Sequence, residues 1–594
     1  MNRNVLYWVL PLVFPILVIG FLVATGHLTD GPQMVDDNQI YKMQIELEEN
    51  GFFRALGVEL CDRFMMRRLV PLYSVQKTVQ SRIFAGNLVA WSVCTGLVGA
   101  CAAGVLFYFF RLCRGTLLAC LAFALITVVG EQSVVWWRML HGEGIGMLML
   151  STALAVMVWG IRTRKLRYEI AFLFFITLAT LSKESFILVI PAVLFLKIWL
   201  TAREQQLTLR VAAKRSWLSL ICLPVVFISE LAIIKFVFAT TSFNYAGWNG
   251  FDAANFQSIV QQYAHITNAL LLGGLGLLGW LLWTFRRVPE RSESKPQKHR
   301  MHKMGKAPDG SWTQRAWASV LMAVLFCMLL TLPQLFLYMS TGMLNINAGH
   351  YGRYILPCMV GYAFVVAELI RLIQQASQGS RAIAIAIGLM LCVSLADKSV
   401  TAYQEAAGFA NVSRTTDAWF EAIVENTDQD SPIVLAFING MADSYSLQVA
   451  LRVHYLLSRC YDRDNVYFSP IPPEPTLEKA RLELVQADSR RHAKRMRPVG
   501  QMDRSRPPAA IMIINWGPCL ERNQPTSFTL DQWMQKNGLE WFEPWKYRRE
   551  VHPHGHITYF REPWALASGV QRGDHSRALR DASEVRFTDL VLEP

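Results

Sequence analysis

Charge is scarce in this sequence. Only 17% of its 594 residues are Asp, Glu, Lys or Arg, against about 25% in soluble domains. A chain so poor in charge and so rich in apolar side chains (53%) is not a disordered one. It does not read as an entirely soluble enzyme either. Eleven cysteines are present, but no Cys-x-x-Cys or Cys/His spacing suggests a zinc site. A glycine-rich phosphate loop and an internal repeat are also missing, so neither a nucleotide-binding motif nor a solenoid is indicated.

What is present is long apolar runs, and the mean hydropathy is positive at +0.25. A bilayer core of ~30 Å needs about 20 apolar residues in a helix. Eleven stretches are candidates: 5–25, 85–110, 115–130, 144–160, 168–182, 185–200, 216–239, 266–285, 316–339, 354–370 and 382–397. The pair at 168–200 also reads as one broken segment. The first run is long for a signal peptide and reads as a span.

The surplus of positive charge, +13, could point to nucleic acid, so its distribution matters. With the N-terminus in the cytoplasm, the loops at 111–114, 161–167, 201–215, 286–315 and 371–381 hold 21 Lys and Arg. The opposite loops at 26–84, 131–143, 240–265 and 340–353 hold 9, although they are longer. Positive residues gather on the cytoplasmic side of membrane proteins. The charge is therefore an orientation signal, and no nucleic-acid partner is expected.

Residues 1–397 thus form a transmembrane domain with a long first outer loop at 26–84. Residues 398–594 lie outside the cytoplasm as a soluble domain. Pro432–Phe437 and Ala510–Ile514 read as buried strands, and 444–459 as a helix between them. The expected architecture is an α-helical polytopic membrane protein of about eleven transmembrane helices with a C-terminal α/β domain.

Ionisable residues at a membrane mouth are costly unless they have partners or a task. Four groups fall on the outer side. Asp36-Asp37 follow the first span and precede Ile40, Met43 and Leu47 at helical spacing, which suggests a helix along the membrane interface. The pair reads either as a helix cap or as repelling carboxylates, one suited to be a general base. Arg138, His141 and Glu143 occupy the second outer loop beside Trp136-Trp137, an interfacial aromatic anchor or a phosphate-binding turn. Lys183-Glu184 lie between two spans, either as a neutralised pair or with Lys183 on a phosphate and Glu184 orienting it. His350, Arg353 and Tyr354 precede a late span, either snorkelling or facing a phosphoryl group.

Taken in order, these groups resemble the polytopic glycosyltransferases of the GT-C superfamily, which include protein O-mannosyltransferases and bacterial aminoarabinose transferases. Asp36 and Asp37 match that superfamily's acidic motif in the first outer loop. Lys183-Glu184 and Gly352-Arg353-Tyr354 look like its later motifs, and the outer C-terminal domain is similar too. The resemblance covers roughly residues 1–400 and is one of pattern. It implies a sugar donor linked to polyprenyl phosphate and an acceptor that is a lipid, a glycan or a protein hydroxyl. Asp36 or Asp37 would be catalytic. Arg138, Lys183, His350 and Arg353 would bind the donor phosphate, with His141, Glu143, Glu184 and Tyr354 in support. No cofactor is required by this chemistry. Some relatives use a divalent metal ion, for which Asp36, Asp37 and Glu143 are the candidate ligands. The Trp-Trp-Asp motif of oligosaccharyltransferases is absent, since Arg138 follows the tryptophan pair.

Two readings compete. A transporter, flippase or polymerase for a lipid-linked glycan would use the same cations, and its in-span charges would be Glu230, Lys235 and Glu368. A membrane scaffold would need none of the four outer groups. The expected location is a bacterial inner membrane with a periplasmic C-terminal domain; an endoplasmic reticulum membrane is the alternative.

Overall fold

A computed structural model describes residues 9–29, 38–65, 68–237, 269–286, 312–339 and 352–437. Beyond these it describes 453–454, 456–458, 460–463, 465–469, 497–498, 501–503, 508–514, 539, 547–551 and 557–561. Asp36, Asp37, His350 and the side chains of Lys235 and Tyr354 lie outside the described residues.

Helix α1 (Val13–Thr25) ends where Gly26 turns to φ +83°, a conformation that favours glycine. Three helices of the first outer loop follow: α2 (Asn38–Asn50), α3 (Phe52–Met65) and α4 (Pro71–Phe84). Asn87 then caps α5 (Leu88–Leu112) by accepting from the Ala90 amide at 3.0 Å, and Thr116 caps α6 (Leu117–Val128) in the same way. After α7 (Val134–Trp137) come α8 (Gly142–Thr163), α9 (Leu166–Thr180), α10 (Ile190–Gln205), α11 (Leu209–Arg215) and α12 (Trp217–Ala232). The described helices close with α13 (Ala269–Arg286), α14 (Trp312–Met339), α15 (Leu356–Ala376) and α16 (Arg381–Glu425).

Each of the eleven apolar stretches falls on a helix. Among the described residues six helices are long and apolar enough to cross a membrane, or up to eight if two bent pairs each make one span. The bends are 71° between α6 and the Glu131–Trp137 turn, and 74° between α11 and α12. Among the other apolar stretches, α9 has 15 residues, which at 1.5 Å each reach ~22 Å of a ~30 Å core. The chain breaks between α9 and α10 at Leu181–Lys183, so 168–200 is two elements.

Aromatic side chains pack the centre of the bundle. Phe364 meets Phe110, Phe123, Trp199 and Phe326 at ring-centroid distances of 5.2 to 6.0 Å. Lipid tails are as apolar as these rings, so fit and dispersion rather than transfer from water hold them.

Where described, the C-terminal part is a six-stranded sheet in the order β3-β2-β1-β4-β6-β5. Strands β1 (Ile433–Phe437), β2 (Val466–Ser469), β3 (Arg497–Pro498) and β4 (Ala510–Ile514) run parallel. β5 (Tyr547–Val551) and β6 (Ile557–Arg561) add an antiparallel edge. The two strands read from the sequence are β1 and β4, direct neighbours in register Ile433 to Ala510. Of the helix expected at 444–459, the described residues 453–454 and 456–458 are helical.

No break falls at residue 397. α16 runs for 45 residues, ~68 Å at 1.5 Å per residue. Its Ile387 and Leu391 lie in the core of the bundle. Its Trp419, Phe420 and Ile423 lie in the core of the sheet unit, and Trp419 Nε1 donates to Thr558 Oγ1 on β6 at 2.7 Å.

Candidate functional site

Ionised side chains gather at one end of the bundle, beneath the cap made by α2, α3 and α4. Glu143 stands in the first turn of α8, where a carboxylate suits the helix N-terminus. It is 2% exposed. Lys183 Nζ lies 3.2 Å and Arg353 Nε 4.0 Å from its Oε1. His141, the residue that caps α8, brings Nε2 to 3.4 Å from Arg353 Nη1. Two cations far apart in sequence thus meet on one carboxylate.

Close backbone approach makes this meeting possible. Any Cβ on Gly142 would sit 2.7 Å from the Ser182 carbonyl oxygen and 3.2 Å from the Tyr73 ring. On Gly146 it would run into Ser182 Oγ and sit 2.8 Å from Phe186. α8 therefore lies directly on the Leu181–Lys183 break. From the cap, the Leu72 amide donates to the Leu181 carbonyl, and the Tyr73 hydroxyl to the Leu140 carbonyl, both at 2.9 Å. The Glu131–Ser133 turn packs against the Gly352–Ile355 turn that carries Arg353.

The carboxylate nearest Lys183 is that of Glu143. Lys183 has extended backbone (φ −161°, ψ 140°), which sends successive side chains apart. Glu184 meets Arg68 at 3.3 Å, and Glu143 meets Lys183. Burial first, then the nearby Arg68, lowers the Lys183 ammonium below its ordinary range, against the pull of Glu143.

A second ionic group sits inside the cap. Glu59 lies 2.8 Å from Arg63 and 2.9 Å from Lys77, all nearly buried. The Gln39 side-chain oxygen accepts from Arg63 at 2.9 Å and from Lys77 at 3.3 Å. Burial alone would raise the Glu59 carboxyl, but Arg63, Lys77 and Lys42 hold it down at about 2. Lys77 has one carboxylate against two neighbouring cations, so burial prevails and its ammonium falls to about 8. Tyr73 joins the two groups: the Arg63 guanidinium lies 5.2 Å over its ring.

Arg138 is buried with its guanidinium 4.8 Å over the Phe409 ring of α16. Trp136 and Trp137 are not anchors at a lipid interface. They are 5% and 3% exposed, with Nε1 donating to the Val128 carbonyl and to Ser133 Oγ. Beneath α2 likewise lies protein rather than lipid, since Ile40 packs on Trp91 and Met139. Of Tyr354, only the backbone in the turn before α15 is described. Among the described residues no group of three or more His, Cys, Asp or Glu could hold a metal ion. Glu143 in particular is flanked by two cations, a poor setting for a metal ligand; Asp36 and Asp37 lie outside the described residues.

Arg68, Tyr73 and the Glu59–Arg63–Lys77 group were not singled out from sequence. The spacing of Glu59 and Arg63, four residues apart on one helix face, was the available signal. The opposite helix ends carry their own ion pairs, Glu204 with Arg114 at 3.1 Å, and Glu368 with Arg203 at 3.6 Å and with Arg371.

Fold and site together define a polytopic helical membrane protein with a buried ionic cluster beneath a helical cap. Among solved structures the chain is similar to ArnT from Cupriavidus metallidurans bound to undecaprenyl phosphate. The identity is 11%, 95% of this chain and 100% of that chain are covered, and the TM-score is 0.47. No family model and no curated protein matches the sequence.

Proposed function

We propose that this chain is a GT-C-type glycosyltransferase that takes a sugar from a polyprenyl-phosphate carrier and passes it to an acceptor hydroxyl. The observation that carries the reading is the meeting of Lys183 and Arg353 on buried Glu143, with Arg68 on Glu184 beside them. This is more positive charge than two carboxylates neutralise, in a site largely shielded from water. Such a site suits a phosphate monoester whose charge grows as it leaves.

In the proposed reaction, Asp36 or Asp37 takes the proton of the acceptor hydroxyl. The oxygen attacks the anomeric carbon, the bond from that carbon to the phosphate oxygen breaks, and the electron pair leaves with the polyprenyl phosphate. Direct displacement inverts the anomeric carbon. Lys183, Arg353, His350 and Arg138 stabilise the departing phosphate, with His141, Glu143, Glu184 and Tyr354 in support. No step runs through a metal ion. The membrane is proposed to be a bacterial inner membrane, with the N-terminus cytoplasmic and the cap, cluster and sheet unit periplasmic. That Tyr41 and Ile45 of the cap share a core with the sheet supports one side for both.

A carrier would be expected to hold its charges within the spans. Glu368 is instead neutralised by Arg371 and Arg203, and Glu230 accepts from Thr180 Oγ1 at 2.7 Å. The test is to incubate the purified protein with radiolabelled polyprenyl-phosphate sugars and membrane extract, then identify what becomes labelled. Transfer of label to an acceptor supports the reading, and label that only crosses the membrane on its carrier overturns it.

A further inference from the structure

The segment that carries Lys183 is fastened on both sides of that residue in the chain. α9 ends at Thr180, the break follows at Leu181–Lys183, and a tight turn over Glu184–Val189 leads into α10. Outside a helix each residue keeps two soft torsions. Where the Lys183 ammonium stands therefore depends on what holds the chain before and after it. α9, α10, α12 and α14 all pack against the Glu184–Val189 turn, and two of them place a polar side chain on the segment. Glu230 of α12 accepts from Thr180 Oγ1 at 2.7 Å, three residues before Lys183. Gln334 of α14 donates from Nε2 to the Ser185 carbonyl at 2.5 Å, two residues after it.

Packing does not account for either side chain. The buried residues of α12, Ser219, Leu223 and Glu230, share one face, while Ile221, Val225 and Ile228 are exposed. Glu230 thus faces the protein interior, where an apolar residue is the ordinary occupant. It is 5% exposed and Gln334 is 1% exposed, and polar groups within a membrane span are costly. Each also keeps an oxygen, Glu230 Oε2 and Gln334 Oε1, with no hydrogen-bond partner among the described residues, which adds to the cost. The Thr180 hydroxyl does not depend on Glu230 for a partner, since it also reaches the Thr177 carbonyl at 2.7 Å. What the two side chains have in common is the segment they hold.

We propose that Glu230 and Gln334 are positioning residues for sugar transfer: by fastening Thr180 and Ser185 they set where Lys183 meets the departing phosphate. The inference rests on the reading of Lys183 as a phosphate-binding residue. Glu230 then acts through its hydrogen bond and not through its charge, the reverse of what a carrier would require of it.

The test compares the full-length wild type in detergent with Glu230→Leu, Glu230→Gln and Gln334→Met. Three readouts are taken: hydrogen exchange of the amides of residues 182–187, affinity for undecaprenyl phosphate as the probe, and transfer from a radiolabelled polyprenyl-phosphate sugar. Glu230→Leu and Gln334→Met are expected to speed the exchange about tenfold, to weaken the probe about threefold and to lower kcat about tenfold, as small displacements of a reacting group do. The thermal midpoint of Glu230→Leu stays at or above that of the wild type, which a merely structural role would not allow. Glu230→Gln, whose side-chain oxygen still accepts from Thr180, recovers most of each loss. Should one of the two apolar variants not fold, the other decides. Wild-type exchange in the apolar variants overturns the fastening, and faster exchange with wild-type affinity and kcat overturns the positioning role. Glu230→Gln as impaired as Glu230→Leu assigns the effect to charge and overturns it as well. The exchange arm uses neither lipid nor sugar, so the fastening is judged separately from the transferase reading. A wild type that neither binds the probe nor transfers sugar overturns the positioning role together with that reading.

Discussion

Lys183 Nζ and Glu143 Oε1 lie 3.2 Å apart, although Glu143 opens α8, Lys183 lies in the break between α9 and α10, and forty residues separate them in the chain. The pair is nearly buried, with side-chain exposures of 11% and 2%. Removing one member of a buried ion pair costs about 3–5 kcal/mol. Arg353 shares the same carboxylate, so the site holds more positive than negative charge before any ligand arrives.

On the proposed reading, Glu143→Gln is therefore expected to lower the thermal midpoint while enlarging the stabilisation given by added undecaprenyl phosphate, used as the probe, because the anion replaces the missing carboxylate. Lys183→Ala lowers the midpoint and shrinks that stabilisation, which for the wild type at a hundredfold excess over Kd is about 2.7 kcal/mol. Melting curves with and without the lipid phosphate give both numbers. Equal ligand stabilisation in the two variants would show that the cluster is not the phosphate site.

The glycines of α8 offer a steric test of the same geometry. A Cβ on Gly142 meets the Ser182 carbonyl at 2.7 Å, and backbone cannot swing aside as a side chain can. Gly142→Ala is expected to cost about 1–3 kcal/mol as overpacking does, and to weaken undecaprenyl phosphate binding as the break carrying Lys183 shifts. Gly408→Ala, with nothing within 4 Å, is neutral or gains up to about 1 kcal/mol from helix propensity. If Gly142→Ala melts and binds like Gly408→Ala, α8 does not rest on the break as described.

Asp36→Asn and Asp37→Asn test the base. A general base contributes roughly 10²- to 10⁴-fold, so one of the two is expected to lose that much transfer while keeping the wild-type melting midpoint and undecaprenyl phosphate affinity. Wild-type transfer in both variants would remove the acid pair from the mechanism.

The helices were legible in the sequence because a span is written by one property, a long apolar run, and every such run is helical over its described core. Their number was less legible, since α9 is apolar but short, and α6 and α12 are bent against their neighbours. Glu143, Lys183 and Arg353 could be named from sequence because charge beside apolar runs stands out. Their pairing could not be, because it follows from tertiary contacts at Gly142 and Gly146 and from the extended backbone of Lys183. Arg68 and Lys77 were hidden for the opposite reason: they lie in a loop rich in ordinary charge, where nothing marks which residues become buried. Trp136 and Trp137 misled because a tryptophan pair beside a span reads alike whether lipid or protein covers it.

Acid titration separates two buried groups. His27 is 1% exposed, with Nδ1 3.0 Å from Thr25 Oγ1. Burial first, and then Arg414, lowers its ring from 6.5 to about 4. The unfolded chain takes a proton below about 6.5 while the folded one does not, so stability is complete above that pH. It falls by about 1.4 kcal/mol per pH unit as pH drops toward 4. Glu59, held at about 2, adds stability that is present above 4.5 and is lost as pH falls from 4.5 toward 2. His27→Gln is expected to flatten the upper window and leave the lower one, whereas Glu59→Gln lowers stability at neutral pH and flattens only the lower. Urea midpoints of the detergent-solubilised protein between pH 3 and 7.5 measure both slopes. If His27→Gln shows the wild-type decline between pH 6.5 and 4, the loss comes from a group other than this histidine.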